Sequence, residues 1–209
     1  MIIYTDEENR ISISGTKHEI PDDHPLALMS ETRRLCYIYN DGSFYPYIDT
    51  DEIKRLDIEA GNGWYYIKEY RQNKISELDN ICTDTIYKGT DITLSTGETQ
   101  HFTLDEQDQA NLAGIGLQLG AGAEIISWHQ DDVTKPCQFY TAENAQKIIN
   151  TLTVFKSYHI TYFRDLRIYV NSLENIEDVE AIYYGYTLPD EAKSDVLKYY
   201  EGLMTNNKS

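Results

Sequence analysis

One run of about 30 residues limits what this chain can fold into more than any other feature. From Ala142 to about Asn171, the residues Ala145, Ile148, Ile149, Leu152, Phe155, His159, Tyr162, Leu166, Tyr169 and Val170 recur every three or four positions. That interval gathers side chains on one face of an α-helix. At 1.5 Å per residue the run makes a rod of roughly 45 Å. Thr141 stands directly before it as an N-cap residue. Tyr158, Tyr162 and Tyr169 fall on or near one stripe of the rod. Any fold must be arranged around this helix.

The segments before it are short and alternate in strand fashion. Ile2 and Tyr4, then Ile11 and Ile13, repeat every second residue, as half-buried strands do. Leu35 to Tyr39 and Phe44 to Ile48 flank Asn40-Asp41-Gly42-Ser43 and predict a hairpin, with Pro46 confined to an edge or an end. Asp49 caps a short helix through Ile53 and Leu56, and Gly61-Asn62-Gly63 interrupts. Tyr66 to Leu78 reads as a helical connector. Ile86, Tyr87, Ile92 and Leu94 lead into the turn Ser95-Thr96-Gly97-Glu98, with Thr99 to Leu104 returning. Thr103 and Glu106 have capping-box spacing for a helix that ends near Leu119. Ala123 to His129 and Cys137 to Tyr140 form a further strand pair around the turn Gln130 to Thr134. A short helix is expected from Asn175 through Ile182, and Pro189 opens the last one. The fold class is therefore α+β: a small β-rich N-terminal lobe, then β-hairpins packed with a long helix and a C-terminal helical pair. The expected boundaries are 1–80 for the lobe with its connector, 81–204 for the second domain, and 205–209 for a flexible tail.

Composition narrows the function classes. Asp and Glu total 35 against 18 Lys and Arg, a formal charge of −17. Such an excess repels phosphate backbones, so no nucleic-acid partner is expected. No stretch approaches the roughly 20 apolar residues of a membrane helix, and no export signal is read at the N-terminus. Cys36, Cys82 and Cys137 are an odd, dispersed set that suits reduced thiols. Tyrosine is in excess, with 18 Tyr against 5 Phe and 2 Trp. Half-buried interfaces and the codon supply of an AT-rich genome both explain it.

Motifs for bond-making chemistry are not evident. The Gly114 to Gly122 segment follows a helix instead of a strand, which argues against a nucleotide loop. His129 with Asp131, Asp132 and Cys137 has metal-like residue types, but a carboxylate-bearing turn between strands is the commoner origin of such a cluster. His159 on the helix's apolar face reads as a packing residue. Neither catalytic residues, cofactor nor metal is expected. The residues expected to meet partners are Trp64, Tyr65, Tyr66, Tyr158, Tyr162, Tyr169, Tyr183, Tyr184 and Tyr186.

Several motifs carry a resemblance: His101-Phe102-Thr103-Leu104-Asp105 with Asp108-Gln109-x-Asn111-Leu112, Trp128-His129-Gln130-Asp131, Phe139-Tyr140, Tyr158-His159-Ile160-Thr161-Tyr162, and Ile182 to Pro189. Over roughly Ile86 to Leu203 the chain resembles uncharacterised proteins encoded in tail modules of bacteriophages and prophages of Gram-positive bacteria. It departs from them at Gln130-Asp131-Asp132, which has no Gly, and at Phe163-Arg164-Asp165-Leu166. The resemblance implies a structural part of a phage tail or contractile tail-like particle, at the baseplate or fibre attachment. It would be assembled in the host cytoplasm, in many copies, against other tail, baseplate or fibre proteins. A tail-fibre assembly chaperone and a carbohydrate-binding module stacking sugars on Trp64-Tyr65-Tyr66 are the alternatives.

Overall fold

The computed structural model describes residues 1–132 and 134–206, and the chain in it is α+β. It divides into two compact units. The first comprises residues 1–71 and 174–180, the second residues 72–173 and the described residues from 181 on.

In the first unit, β1 (Ile2–Thr5) lies between β2 (Ile11–Ser12) and β3 (Thr16–Glu19), antiparallel to both. Its inward positions are Ile3 and Thr5, whereas Ile2 and Tyr4 face outward. The alternation of Ile2 and Tyr4 thus marks the strand but the opposite face, and Ile13 beyond β2 is exposed too. Either parity of Ile-Ile-Tyr-Thr offers apolar side chains, so pairing decides which set is buried. A 3-10 turn at Pro25–Leu28 and the one-turn helix α1 (Glu31–Arg34) follow. The expected hairpin then forms from β4 (Tyr37–Asn40) and β5 (Ser43–Pro46). Asp41 and Gly42 both have positive φ, 46° and 85°, the two-residue turn whose twist suits a hairpin. Asp49 caps α2 (Thr50–Glu59) by accepting from the Asp51 N–H. The core joins Ile3, Ile11, Ile20, Leu26, Tyr39 and Ile53. A 3-10 turn at Gly63–Tyr65 leads to α3 (Ile67–Lys88), which runs from this unit into the next.

Helix α3 is longer than its sequence rhythm suggests. Leu78, Cys82 and Ile86 continue the four-residue spacing and are buried, so Ile86 and Tyr87 belong to this helix and not to a strand. Gly89 (φ +73°) ends it in the left-handed region, where a Cβ would lie 1.8 Å from the Phe102 carbonyl oxygen. The hairpin β6 (Thr90–Thr93) and β7 (Thr99–Phe102) closes on the expected Gly97 turn. Helix α4 (Glu106–Gly120) is capped by Asp105 with Asp108, two residues later than the Thr103–Glu106 spacing implies. Thr103 instead donates its hydroxyl to Asp108 Oδ2 at 2.8 Å. The pair β8 (Ile125–Trp128) and β9 (Gln138–Thr141) precedes α5 (Ala142–Ser172), the 31-residue rod. Thr141 caps α5 as expected, accepting from the Asn144 N–H. Buried Asn144 in turn accepts from the Ser95 N–H at 2.8 Å, which fixes the hairpin turn on the helix start. The second core gathers Ile92, Phe102, Leu104, Ile126, Tyr140, Ile148 and Leu152.

The short α6 (Ile176–Glu180) belongs to the first unit, where Ile176 packs against Gly63. Pro189 opens only a 3-10 turn, Asp190–Ala192, and the last helix, α7 (Asp195–Asn206), starts three residues later. Of the expected tail at 205–209, Thr205 and Asn206 form the last residues of α7, and 207–209 lie outside the described residues, as does Val133 of the Gln130–Thr134 turn. No helix among the described residues is long and apolar enough to cross a membrane.

Candidate functional site

Helix α5 presents two opposed faces in the second unit. Tyr158, Tyr162, Asp165, Leu166 and Tyr169 follow spacings of four, three, one and three. Lys156, Ile160, Phe163, Arg164 and Arg167 repeat the same spacings two residues earlier. Two residues are about 200° of helix rotation, so the two sets lie on opposite sides.

The first face is covered by the chain's own C-terminal segment. Buried Tyr162 donates its hydroxyl to the Tyr186 carbonyl at 2.8 Å and accepts from the Gly185 N–H at 3.0 Å. Burial pushes this phenol up to about 12. Tyr158 stacks on Tyr162, Tyr184 meets Tyr162 edge-on at 5.3 Å, and Tyr169 stacks on Tyr186. His159 shares a 2.9 Å hydrogen bond with the Tyr184 hydroxyl, and burial lowers its imidazole to about 4, so the ring is neutral at pH 7. Burial, then the neighbouring Cys82, raises the Tyr184 phenol. Asp165, also buried, accepts from the Ser194 N–H at 2.7 Å, and Ser194 Oγ accepts from the Leu197 N–H. The carboxylate of α5 thereby fixes the start of α7. Among the tyrosines expected to meet partners, Tyr158, Tyr162, Tyr169, Tyr184 and Tyr186 therefore form one internal ladder. Tyr183 alone in this set stays 60% exposed.

The second face lines a groove of about 390 Å³ with α3 and α4. Ile86 and Ile160 lie along it, with Tyr87 donating to Glu106 at 2.9 Å on the far wall. Lys156 donates to the neutral Gln109 side chain at 2.5 Å, and the Arg167 guanidinium sits 6.0 Å from the Phe163 ring centre. Arg164 and Arg167 have no carboxylate partner among the described residues. Sequence reasoning named neither arginine as a site residue. The signal was present in the shared spacing with Lys156, on a chain otherwise short of cations.

The remaining expected residues lie in the first unit. Trp64, 62% exposed, stacks on Tyr65 at 3.7 Å. Trp64 also lines a cavity of about 240 Å³ with Gly61, Gly63, Glu174 and Glu177. Tyr66 turns inward. Its hydroxyl donates to Asp57 Oδ2 at 2.8 Å and accepts from Arg33 Nη1 at 3.1 Å. Burial and this carboxylate push the phenol up to about 12. Ser30 donates to the other Asp57 oxygen, so a fully buried carboxylate sits at the junction of α1, α2 and Tyr66.

Around His129 the structure brings together a different pair from the one the sequence suggests. His129 Nε2 lies 3.3 Å from Asp108 Oδ1, the carboxylate that also serves the α4 cap. Asp132 instead turns on itself, accepting from Thr134 N–H and hydroxyl. Among the described residues, no group of three His, Cys, Asp or Glu could hold a metal ion.

Two hairpins and a three-helix framework around one long, two-faced helix define the second unit as a compact α+β module. Residues 69–183 match DUF4376, a domain of unknown function, and with more than half of its length matched this chain belongs to that family. No curated protein and no solved structure matches the chain. The family segment begins at the third residue of α3 and ends at Tyr183, so it takes in α3, both hairpins, α4 and all of α5.

Proposed function

We propose that this chain is a structural adaptor of a phage tail or contractile tail-like particle, seated at the baseplate or fibre attachment. In this reading it works through contact surfaces, without a catalytic centre. The observation that carries it is the set of large apolar side chains left in the open: Trp64, Tyr183 and, 80% exposed, Phe139. Ile125, also exposed, is diagonal to Phe139 on the outer face of the β8–β9 pair. Exposed aromatic groups of this kind are typical anchors of protein interfaces. The resemblance of residues 86–203 to tail-module proteins supports the same reading. Mass spectrometry of purified particles tests it: the chain is expected there in a multiple of three or six copies. Its absence from particles, with presence in infected or induced cells, would replace the adaptor by the assembly chaperone.

A second reading is favoured by Trp64. An exposed indole beside Glu174 and Glu177, with one face stacked on Tyr65, supports a sugar subsite in which the free ring face would lie under the sugar and the carboxylates would accept from hydroxyls. A glycan array in which Trp64→Ala abolishes the signal would support this carbohydrate-binding role.

A further inference from the structure

We infer that the groove along Lys156, Ile160, Phe163, Arg164 and Arg167 is a docking site for an acidic, amphipathic segment of a partner protein. Its length follows from the helix: the 11 steps from Lys156 to Arg167 span about 17 Å, or three turns. Over that distance the α5 wall alternates cationic and apolar groups, Lys156, then Ile160 and Phe163, then Arg164 and Arg167. An occupant that satisfies all five needs apolar side chains at helical spacing with carboxylates on one flank. Planar guanidinium groups bind carboxylates through paired hydrogen bonds, and Arg164 and Arg167 hold this capacity unspent.

Charge selects the class of partner. The chain carries −17 overall, with 18 Lys and Arg against 35 Asp and Glu, and here three cations gather on one helix face. Asp79 and Glu106 stand on the opposite wall, so the acidic flank of the occupant lies along α5. A nucleic acid would run on past the three cations over an acidic surface. A short acidic segment stays within their field, which at physiological salt extends only about 8 Å. The groove stands independently of the tail reading, so particle composition does not bear on it.

The test uses the full chain and fluorescence anisotropy with two labelled helical peptides. One has a leucine stripe flanked by glutamates, the other lysines in place of the glutamates. The glutamate peptide is expected to bind, and Arg164→Glu with Arg167→Glu to weaken it by about tenfold or more while favouring the lysine peptide. Both arginines are exposed, so circular dichroism should show the variant folded. The proposal is overturned if neither peptide binds, if both bind equally, or if the double variant binds as the parent does. A single-stranded oligonucleotide that binds more tightly than the glutamate peptide would overturn it in favour of nucleic acid. Sedimentation showing self-association that the double variant abolishes would assign the groove to a second copy instead.

Discussion

The two units solve the problem of a small core in different ways. In the second, α5 supplies Ala145, Ile148 and Leu152 to an aliphatic and aromatic cluster that two hairpins and α4 close over. In the first, short strands and a short helix enclose an apolar cluster, but a fully buried carboxylate, Asp57, ties α1, α2 and Tyr66 together. Short elements cannot bury enough apolar surface to fix their own orientation, and a shared acceptor does this by geometry. A long helix is oriented by burial along its length, because each of its turns repeats the same buried face, and its buried Asn144 and Asp165 serve to hold the segments packed on it. The contrast lies in what orients the elements: a shared carboxylate among short pieces in the first unit, and in the second the buried face of one long helix, to which Asn144 and Asp165 pin neighbouring segments.

The largest effect is expected where area alone counts. Leu152→Ala in the second core, at a side chain with no exposed surface, should cost about 2–5 kcal/mol by the methylene loss and the cavity left behind. Chemical denaturation of the full chain measures it, and a cost below about 1 kcal/mol would mean that the core around α5 collapses to fill the gap. Asp57→Ala should cost less, about 1–3 kcal/mol, since it strands the Ser30 and Tyr66 hydroxyls without their acceptor. Hydrogen exchange should place that loss in the amides of α1 and α2. Uniform loosening of the first unit's strands instead would show that Asp57 is not the tie described.

At neutral pH the smallest effect is in the aromatic ladder, whose contribution shows only as the pH falls. His159 is held at about 4, below its ordinary value near 6.5, so the folded state resists its protonation. The unfolded chain takes up that proton first, so this contribution to stability is complete above about pH 6.5 and is lost as pH falls toward 4. His159→Phe should remove that part of the acid sensitivity. A variant that loses stability between those values as steeply as the parent would show that carboxylates alone carry it.

Much of the architecture was legible because its signals are local. The Asn40–Ser43 turn, the Thr141 cap and the spacing of α5 each depend on neighbours within a few residues, and each forms where expected. The misses share one cause, competition between two locally acceptable choices. Ile2 and Tyr4 or Ile3 and Thr5 could face inward, and the pairing of β1 with β2 and β3 chose the second set. Ile86 and Tyr87 suit a strand by type, yet Leu78, Cys82 and Ile86 align on one side of a helix whose end is set at Gly89. Thr103 and Asp105 both offer a cap, and the one nearer the first turn took it. The tyrosines were visible as a stripe, but nothing local shows that residues 182–188 return to cover them.

By itself the amino-acid order determined the elements: a rod by its period, hairpins by their turns, an acidic surface by its carboxylate excess. Only the folded chain decided which side of the rod is covered. Periodicity states that faces exist, and it carries no information about distant segments that come to lie on them. Chain return put Tyr184 and Tyr186 against one face and left Arg164 and Arg167 open on the other.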